Sequence, residues 1–259
     1  VSVGMIREAV MKLGFRDMYE VSLGADFVSK NEGQELLEHY EAGEKMTTSC
    51  CPAFVSLIKK HYPQVLKYMS TTVSPMTATG RLIKAMHPDA VCVFIGPCIA
   101  KKSEVIDSIT FGGADYAMTY EELASMFEAK NIDPEECTET LQQGSKFGKQ
   151  YSVSGGVTAA VLETFKEANK EVDLKVKTCS GALECKKALM LLKVGKLPED
   201  FIEGMACVGG CVNGPAMLGK SRTFLKDRNG QIAKADDRGV LENVAQYDEY
   251  GINMTRNHQ

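Results

Sequence analysis

Apolar residues recur at helical spacing over Met5–Leu13, and the run stops at Gly14. Met18–Ser22 reads as a strand, and Phe27–Glu41 as a helix carrying Glu32, Glu35, Glu38 and Glu41. A cysteine turn at Ser49–Pro52 follows, then a helix over Ala53–His61 closed by Tyr62-Pro63. Thr77–Met86 repeats the helical spacing and ends at His87-Pro88. Ala90–Ile95 is an unbroken apolar run of strand length, the pattern of a buried parallel strand. Ala114–Thr119, Leu174–Thr178 and Phe201–Ala206 read as further strands. Tyr120–Ala129, Val157–Ala168 and Ala182–Lys193 read as helices. The tail is less regular: Asp227-Arg228-Asn229-Gly230 reads as a turn, and Leu241–Tyr250 as a last helix. Strands alternating with helices predict an α/β protein with mostly parallel sheets flanked by helices. Such sheets gather ligands at the carboxyl ends of their strands, and Cys98 and Cys207 both follow predicted strands.

Composition narrows the class without naming a function. The 259 residues suffice for one large domain or two lobes with buried cores. A net charge of −4 gives no electrostatic case for nucleic acid. No apolar run approaches the roughly 18 residues a membrane span needs, and no signal-peptide pattern opens the chain. The chain starts at Val1 without an initiator methionine and reads as a piece of something longer. Nine cysteines, an odd number without scaffold spacing, fit a reduced cytoplasmic protein.

Five of those cysteines cluster in three short segments: Thr48-Ser49-Cys50-Cys51-Pro52, Gly96-Pro97-Cys98, and Met205-Ala206-Cys207-Val208-Gly209-Gly210-Cys211. Proline or glycine flanks each, so tight backbone can aim sulfur at a shared object. Adjacent Cys50 and Cys51 rarely bind one centre together; either one is a ligand and the other a nearby thiol, or both are packing. Cys207 and Cys211, with two glycines between, can point one way. Clustered thiolates select an iron–sulfur cubane or zinc, and the paired Cys-x-x-Cys knuckles usual for zinc are absent. Lys101 and Lys102 follow Cys98; they are either a solvated pair or donors to an anionic ligand, with Glu104 in reach. Glu32 and Glu35 share a helix face, either as surface charge or as steps of a proton relay.

The remaining candidates are weaker. Cys92 reads as core, Cys137 as exposed and without a role, and Cys179 and Cys185 flank a helix start without the spacing of a second metal site. None of His39, His61, His87 and His258 falls in a cysteine motif. Gly214–Ser221 satisfies the phosphate-loop pattern through Lys220, but no strand leads directly in, and a turn is predicted where a long helix should lead out.

The three segments, in order, resemble the signatures of [FeFe] hydrogenases: T-S-C-C-P, P-C-x-x-K-K-x-E and E-x-M-A-C-x-x-G-C. Here they are Thr48–Pro52, Pro97–Glu104 and Glu203–Cys211. Leu13-Gly14-Phe15, Gly24-Ala25-Asp26, Ser74-Pro75 and Ser154-Gly155-Gly156-Val157 extend the likeness up to about Gly214. The resemblance implies an H-cluster domain over 1–259, in two lobes of approximately 1–110 and 111–259 with the cluster in the cleft between them. It implies a [4Fe-4S] cubane on Cys51, Cys98, Cys207 and Cys211, with Cys211 bridging to a two-iron subcluster. Cys50 would be the unligated thiol passing protons, with Glu35, Ser70 and Glu32 continuing the relay. Lys101 would donate to a cyanide, and Met205, Tyr151, Pro97 and Ser74 would border the cofactor. The implied reaction is reversible reduction of protons to dihydrogen. Electrons would come from a ferredoxin-like donor or from additional iron–sulfur domains or subunits. Maturation proteins would build the two-iron unit, and protein made without them would be apo or cubane-only.

The chain departs from the family in places. Gly96 replaces a methionine, which is expected to open space beside the cofactor. Tyr151 stands where phenylalanine is common, and Gly214-Pro215-Ala216-Met217 replaces a G-G-G-Q segment. The family's segment before the first helix is expected to be missing. These changes suit a divergent or sensory-like branch. A hydrogen or redox sensor, and an iron–sulfur protein holding only a cubane, are the alternatives.

Overall fold

A computed structural model describes residues 1–107, 112–219 and 221–256. Lys220 of the phosphate-loop pattern and His258 therefore lie outside the described residues. The first half contributes α1 (Val3–Lys12), α2 (Val21–Glu41), β1 (Met46–Thr47), α3 (Pro52–His61), α4 (Pro75–Met86), β2 (Val93–Ile95) and α5 (Ala100–Val105). There follow β3 (Tyr116–Met118), α6 (Tyr120–Ala129), α7 (Lys146–Gln150), α8 (Gly156–Glu167), β4 (Val176–Ser180), α9 (Ala182–Lys193), β5 (Phe201–Met205), α10 (Ser221–Ile232) and α11 (Val240–Ala245).

The strands form two parallel sheets, one ordered β1-β5-β4 and one pairing β2 with β3. Helices flank both, so the mixed α/β reading holds. Each sheet draws on residues either side of 110: Met46 lies opposite Phe201, and Val93 opposite Tyr116. β5 is the central strand and is buried throughout. Its Gly204 is required by close packing, since a Cβ there would sit 2.3 Å from the ring of fully buried Phe54.

Long α2 is the hub, packing against α4, α7, α8 and α11. It buries Leu23, Val28 and Leu36, but also Asp26, Ser29 and Glu32. Asp26 accepts from the Ser145 amide and hydroxyl and from Asn243 Nδ2, which ties α2 to α7 and α11. Burial still pushes this carboxyl up to about 6.

Several expectations fail for physical reasons. Residues 18–20 are not a strand; the Glu20 amide bonds to Gln143 Oε1, and its carbonyl starts α2. The predicted buried strand Ala90–Ile95 shrinks to β2, which is half-buried with one partner, and Val91 is exposed. The Cys92 amide is taken by the Asp115 carboxylate instead of a ladder. Asp227–Gly230 lies inside α10, so the predicted turn is a helix. That helix supplies half of the phosphate-loop context, but the strand does not: β5 ends at Met205, well before Gly214. Amides of Gly214, Ala216 and Met217 already donate to protein carbonyls. Cys137 is buried, accepting from Lys12 Nζ at 3.3 Å.

Gly24 sets the spacing of α2 and α4. A Cβ there would fall 2.4 Å from the Pro75 carbonyl and 2.1 Å from Thr79 Oγ1. Gly24→Ala is expected to cost about 1–3 kcal/mol in urea denaturation, by forcing the two helices apart.

Candidate metal centre

The cysteine turns leave the carboxyl edges of the strands. Cys50 and Cys51 follow β1, Cys98 follows β2, and Cys207 follows β5 by two residues. Because β1 and β5 run parallel, their turns emerge on the same side. Cys51 is the N-cap of α3, with Pro52 at the first helical position. The Cys51 carbonyl accepts from the Val55 amide and so begins α3. Gly209 and Gly210, at φ +81° and +97°, turn the last loop as a side chain rarely could.

Cys51, Cys98, Cys207 and Cys211 feel one another's charge in all six pairings. The four sulfurs thus surround a common space. Among the described residues, no three histidine, cysteine, aspartate or glutamate side chains close around a single ion. Four cysteines brought together from three separate segments suit a polynuclear centre held by four thiolates. Burial, then repulsion from Cys51 and Cys98, pushes the Cys211 thiol up to about 12. A cationic iron core relieves both penalties, so the donor set fits an iron–sulfur cluster.

Lys101 is buried beside this space. Its Nζ donates to Ser74 Oγ at 2.9 Å and to Glu104 Oε2 at 2.6 Å. An ammonium has three donors, so a third is left for an anion on the cluster side. Ser74 is held as the N-cap of α4. Cys50, Tyr151 and Met205 share one apolar cluster with Leu23, Phe27 and Val28. Pro97 is half-buried, and its carbonyl accepts from the Ala216 amide.

The acidic residues follow an order outward. Tyr151 lies in hydrogen-bond reach of Cys50, and its hydroxyl is 3.4 Å from Glu32 Oε2. Glu32 is fully buried and also meets Ser70. Ser70 Oγ donates to Glu35 Oε2 at 2.6 Å, and Glu35 is half-buried. Only Glu38 and Glu41 on this helix are the solvated surface charges of the plain reading. Burial, reinforced by the Glu35 charge, pushes Glu32 up to about 8.

Three contributors escaped the sequence reading. Phe94 folds over Gly96, where a Cβ would sit 2.7 Å from its ring, so aromatic carbon fills the space expected to be open. Arg256 donates to the Ser49 carbonyl at 3.1 Å, from far along the chain. Glu203 accepts from the Gly155 and Thr158 amides and pins α8 to β5. It stands in the third cysteine motif, which was its one available signal. Cys179 and Cys185 are buried free thiols beside each other, and Cys185 Sγ donates to the Met205 carbonyl at 3.5 Å.

Residues 1–215 match the family described as the iron-only hydrogenase large subunit, C-terminal domain. The chain belongs to the iron-only hydrogenase family. A relative, the periplasmic [Fe] hydrogenase large subunit of Nitratidesulfovibrio vulgaris, is 32% identical over 85% of this chain and 64% of its own. The cytosolic Fe-S cluster assembly factor narfl of Danio rerio is 25% identical over 92% of this chain and 72% of its own. An [FeFe]-hydrogenase from Chlamydomonas reinhardtii shares the fold, with a TM-score of 0.75 at 22% identity over 96% of this chain and 83% of that one. The hydrogenase-family domain spans between 49% and 64% of the length of the hydrogenase relatives it matches. No helix among its described residues is long and apolar enough to cross a membrane.

The buried Glu32 carboxyl predicts a pH dependence. The folded protein keeps this proton up to about pH 8, while the unfolded chain releases it near the ordinary glutamate value of 4.5. Wild type therefore loses stability as pH rises through that window. Glu32→Gln removes the penalty. Its urea stability is expected to gain on wild type between about pH 5 and about pH 8, by on the order of 3 kcal/mol.

Proposed function

We propose that this domain holds an H-cluster, a [4Fe-4S] cubane with a two-iron subcluster, and makes or consumes dihydrogen there. The observation that carries the reading is the pairing of four converging cysteines with a fifth, Cys50, that leads into a line of buried acids. When bound, the cluster would supply electrons and an open iron position at which two protons become dihydrogen. The protein's own tasks are to ligate, to exclude water and to move protons.

Cys51, Cys98, Cys207 and Cys211 are the ligands in this reading. Lys101 holds an anionic cofactor ligand with its remaining donor. Met205, Tyr151, Pro97 and Ser74 wall the cofactor space, with Phe94 covering the Gly96 side. Protons enter at Glu35, cross Ser70 Oγ to Glu32, and reach Cys50 Sγ past the Tyr151 hydroxyl. Burial makes Glu32 a proton donor and acceptor near neutral pH, which a solvated carboxyl is not. Cys50, raised well above the ordinary thiol range by burial and by Glu32, stays protonated and ready to donate. Electrons come from an iron–sulfur partner or domain.

A second reading, a protein holding only a cubane, is favoured by the likeness to an Fe-S cluster assembly factor. A hydrogen or redox sensor would share the cluster but turn over slowly. Anaerobic maturation separates these. Infrared bands of metal-bound carbonyl and cyanide, with viologen-driven hydrogen evolution, are expected of the matured protein. Cys50→Ala is expected to keep the bands and lose at least about 100-fold in rate, the scale of a removed acid–base group. Matured protein without the bands would support the cubane-only reading.

A further inference from the structure

A cavity of about 580 Å³ opens between α7, the start of α8 and α10, a volume typical of a small-molecule site. Lys146, Ser154, Arg228 and Asn229 supply polar lining, and Val153, Ala159 and Ile232 supply apolar lining. Among the described residues, no acidic side chain lines it.

Its cations lack a counter-charge. Neither Lys146 nor Arg228 forms an ion pair among the described residues. Arg228 is half-buried, and its Nε–H, shielded from solvent, has no acceptor. Its other nitrogens make long contacts only, at 3.4 Å to the Lys149 carbonyl and 3.4 Å to Asn229 Oδ1. The Lys149 contact caps the end of α7 but answers neither the charge nor Nε. Burial lowers the proton affinity of this guanidinium, as expected of a cation without a partner. Ser154 Oγ is likewise shielded and without a partner. Leaving such groups unanswered is costly. A guanidinium, a hydroxyl and the exposed Lys146 on one cavity form a donor set for an oxyanion. The start of α8 adds little to that set, because the Gly155 and Thr158 amides already donate to Glu203.

The cavity wall is bonded to the last cysteine motif. The Ser154 amide donates to the Gly209 carbonyl at 3.2 Å, and the Val212 amide to the Ser152 carbonyl at 3.3 Å. Val153 pairs with Gly210, where a Cβ would fall 2.6 Å from the Ser152 oxygen. The turn that lines the cavity is therefore the turn against which the loop between Cys207 and Cys211 is held.

We propose that this cavity binds a small organic dianion, a phosphate monoester or a dicarboxylate, and that its occupancy braces the Cys207–Cys211 loop. The oxyanion accepts from Arg228 Nε, Lys146 Nζ and the Ser154 hydroxyl. The carbon skeleton lies on Val153, Ala159 and Ile232. Ordering the turn at Ser152–Gly156 then orders the loop bonded to it. The site works with the metal centre empty or filled, so it stands apart from the hydrogenase reading.

Binding is measured by calorimetry on the purified protein before maturation, at constant ionic strength. Ribose 5-phosphate, succinate and inorganic phosphate are the probes. At least one organic dianion is expected to bind, and more tightly than inorganic phosphate, which has no carbon skeleton. The probe that binds separates phosphate from carboxylate recognition. Lys146→Gln with Arg228→Gln is expected to weaken binding at least about tenfold, the scale of one lost charge-assisted contact. Lys146→Gln alone and Ser154→Ala disturb the packing least and are each expected to weaken it by a smaller factor; circular dichroism checks that all variants fold. The bound probe is expected to raise the urea midpoint and to slow hydrogen exchange at the Ser154 and Val212 amides. No binding to wild type at about 10 mM probe would overturn the proposal. So would equal binding by wild type and the folded variants, inorganic phosphate binding as tightly as both organic probes, or binding that leaves those two amides unprotected.

Discussion

Four cysteine sulfurs whose ionised forms repel one another must be kept around one space. Side chains alone cannot do this; the backbone has to impose it. Here the imposition comes from parallel strands. β1 and β5 end side by side, so the Cys50-Cys51 turn and the Cys207 loop leave the same sheet edge. β2 brings Cys98 from the second sheet. Cys51 then caps the start of α3, whose Phe54 packs against Gly204 of β5. Remove the parallel pairing and the donor set disperses.

The same constraint explains the polar interior. A helix with as little apolar character as α2 would ordinarily lie on the surface. It is buried because its polar groups have internal partners: Asp26 at Ser145 and Asn243, Ser29 at the Ala25 carbonyl, Glu32 at Ser49 and Tyr151. Each satisfied group offsets a desolvation cost that would otherwise favour an apolar replacement. What survives is a carboxyl close to neutral affinity, set between the cysteine turn and the solvent-reaching Glu35.

Local signals in the sequence were strong where local physics decides. The helical spacing of Tyr120–Ala129, and the proline after Cys51, mark α6 and α3 plainly. The three cysteine motifs gave the ligand candidates without help from coordinates. Tertiary partners were invisible. Nothing at Glu20 announces that Gln143 will take its amide, so a strand was expected there. Nothing at Gly96 announces that Phe94, two residues earlier, will fold back over it. The two-residue β1 is too short to carry a period, and it exists because β5 offers it a ladder. Tyr151 was read as a wall; only its distance to Glu32 shows what its hydroxyl adds over phenylalanine.

Arg256 and Ser49 are 207 residues apart in sequence, yet the guanidinium holds the carbonyl directly before Cys50. The contact therefore cannot form until the chain has been made through Arg256, after all three cysteine motifs. Until it forms, the first cysteine turn lacks one of its restraints while the later motifs are already synthesised. Contacts of such long loop closure also form late in folding, since their entropy must be met before they stabilise anything. Loading of a metal centre would thus wait for the segment around Arg256, not for emergence of its first ligands.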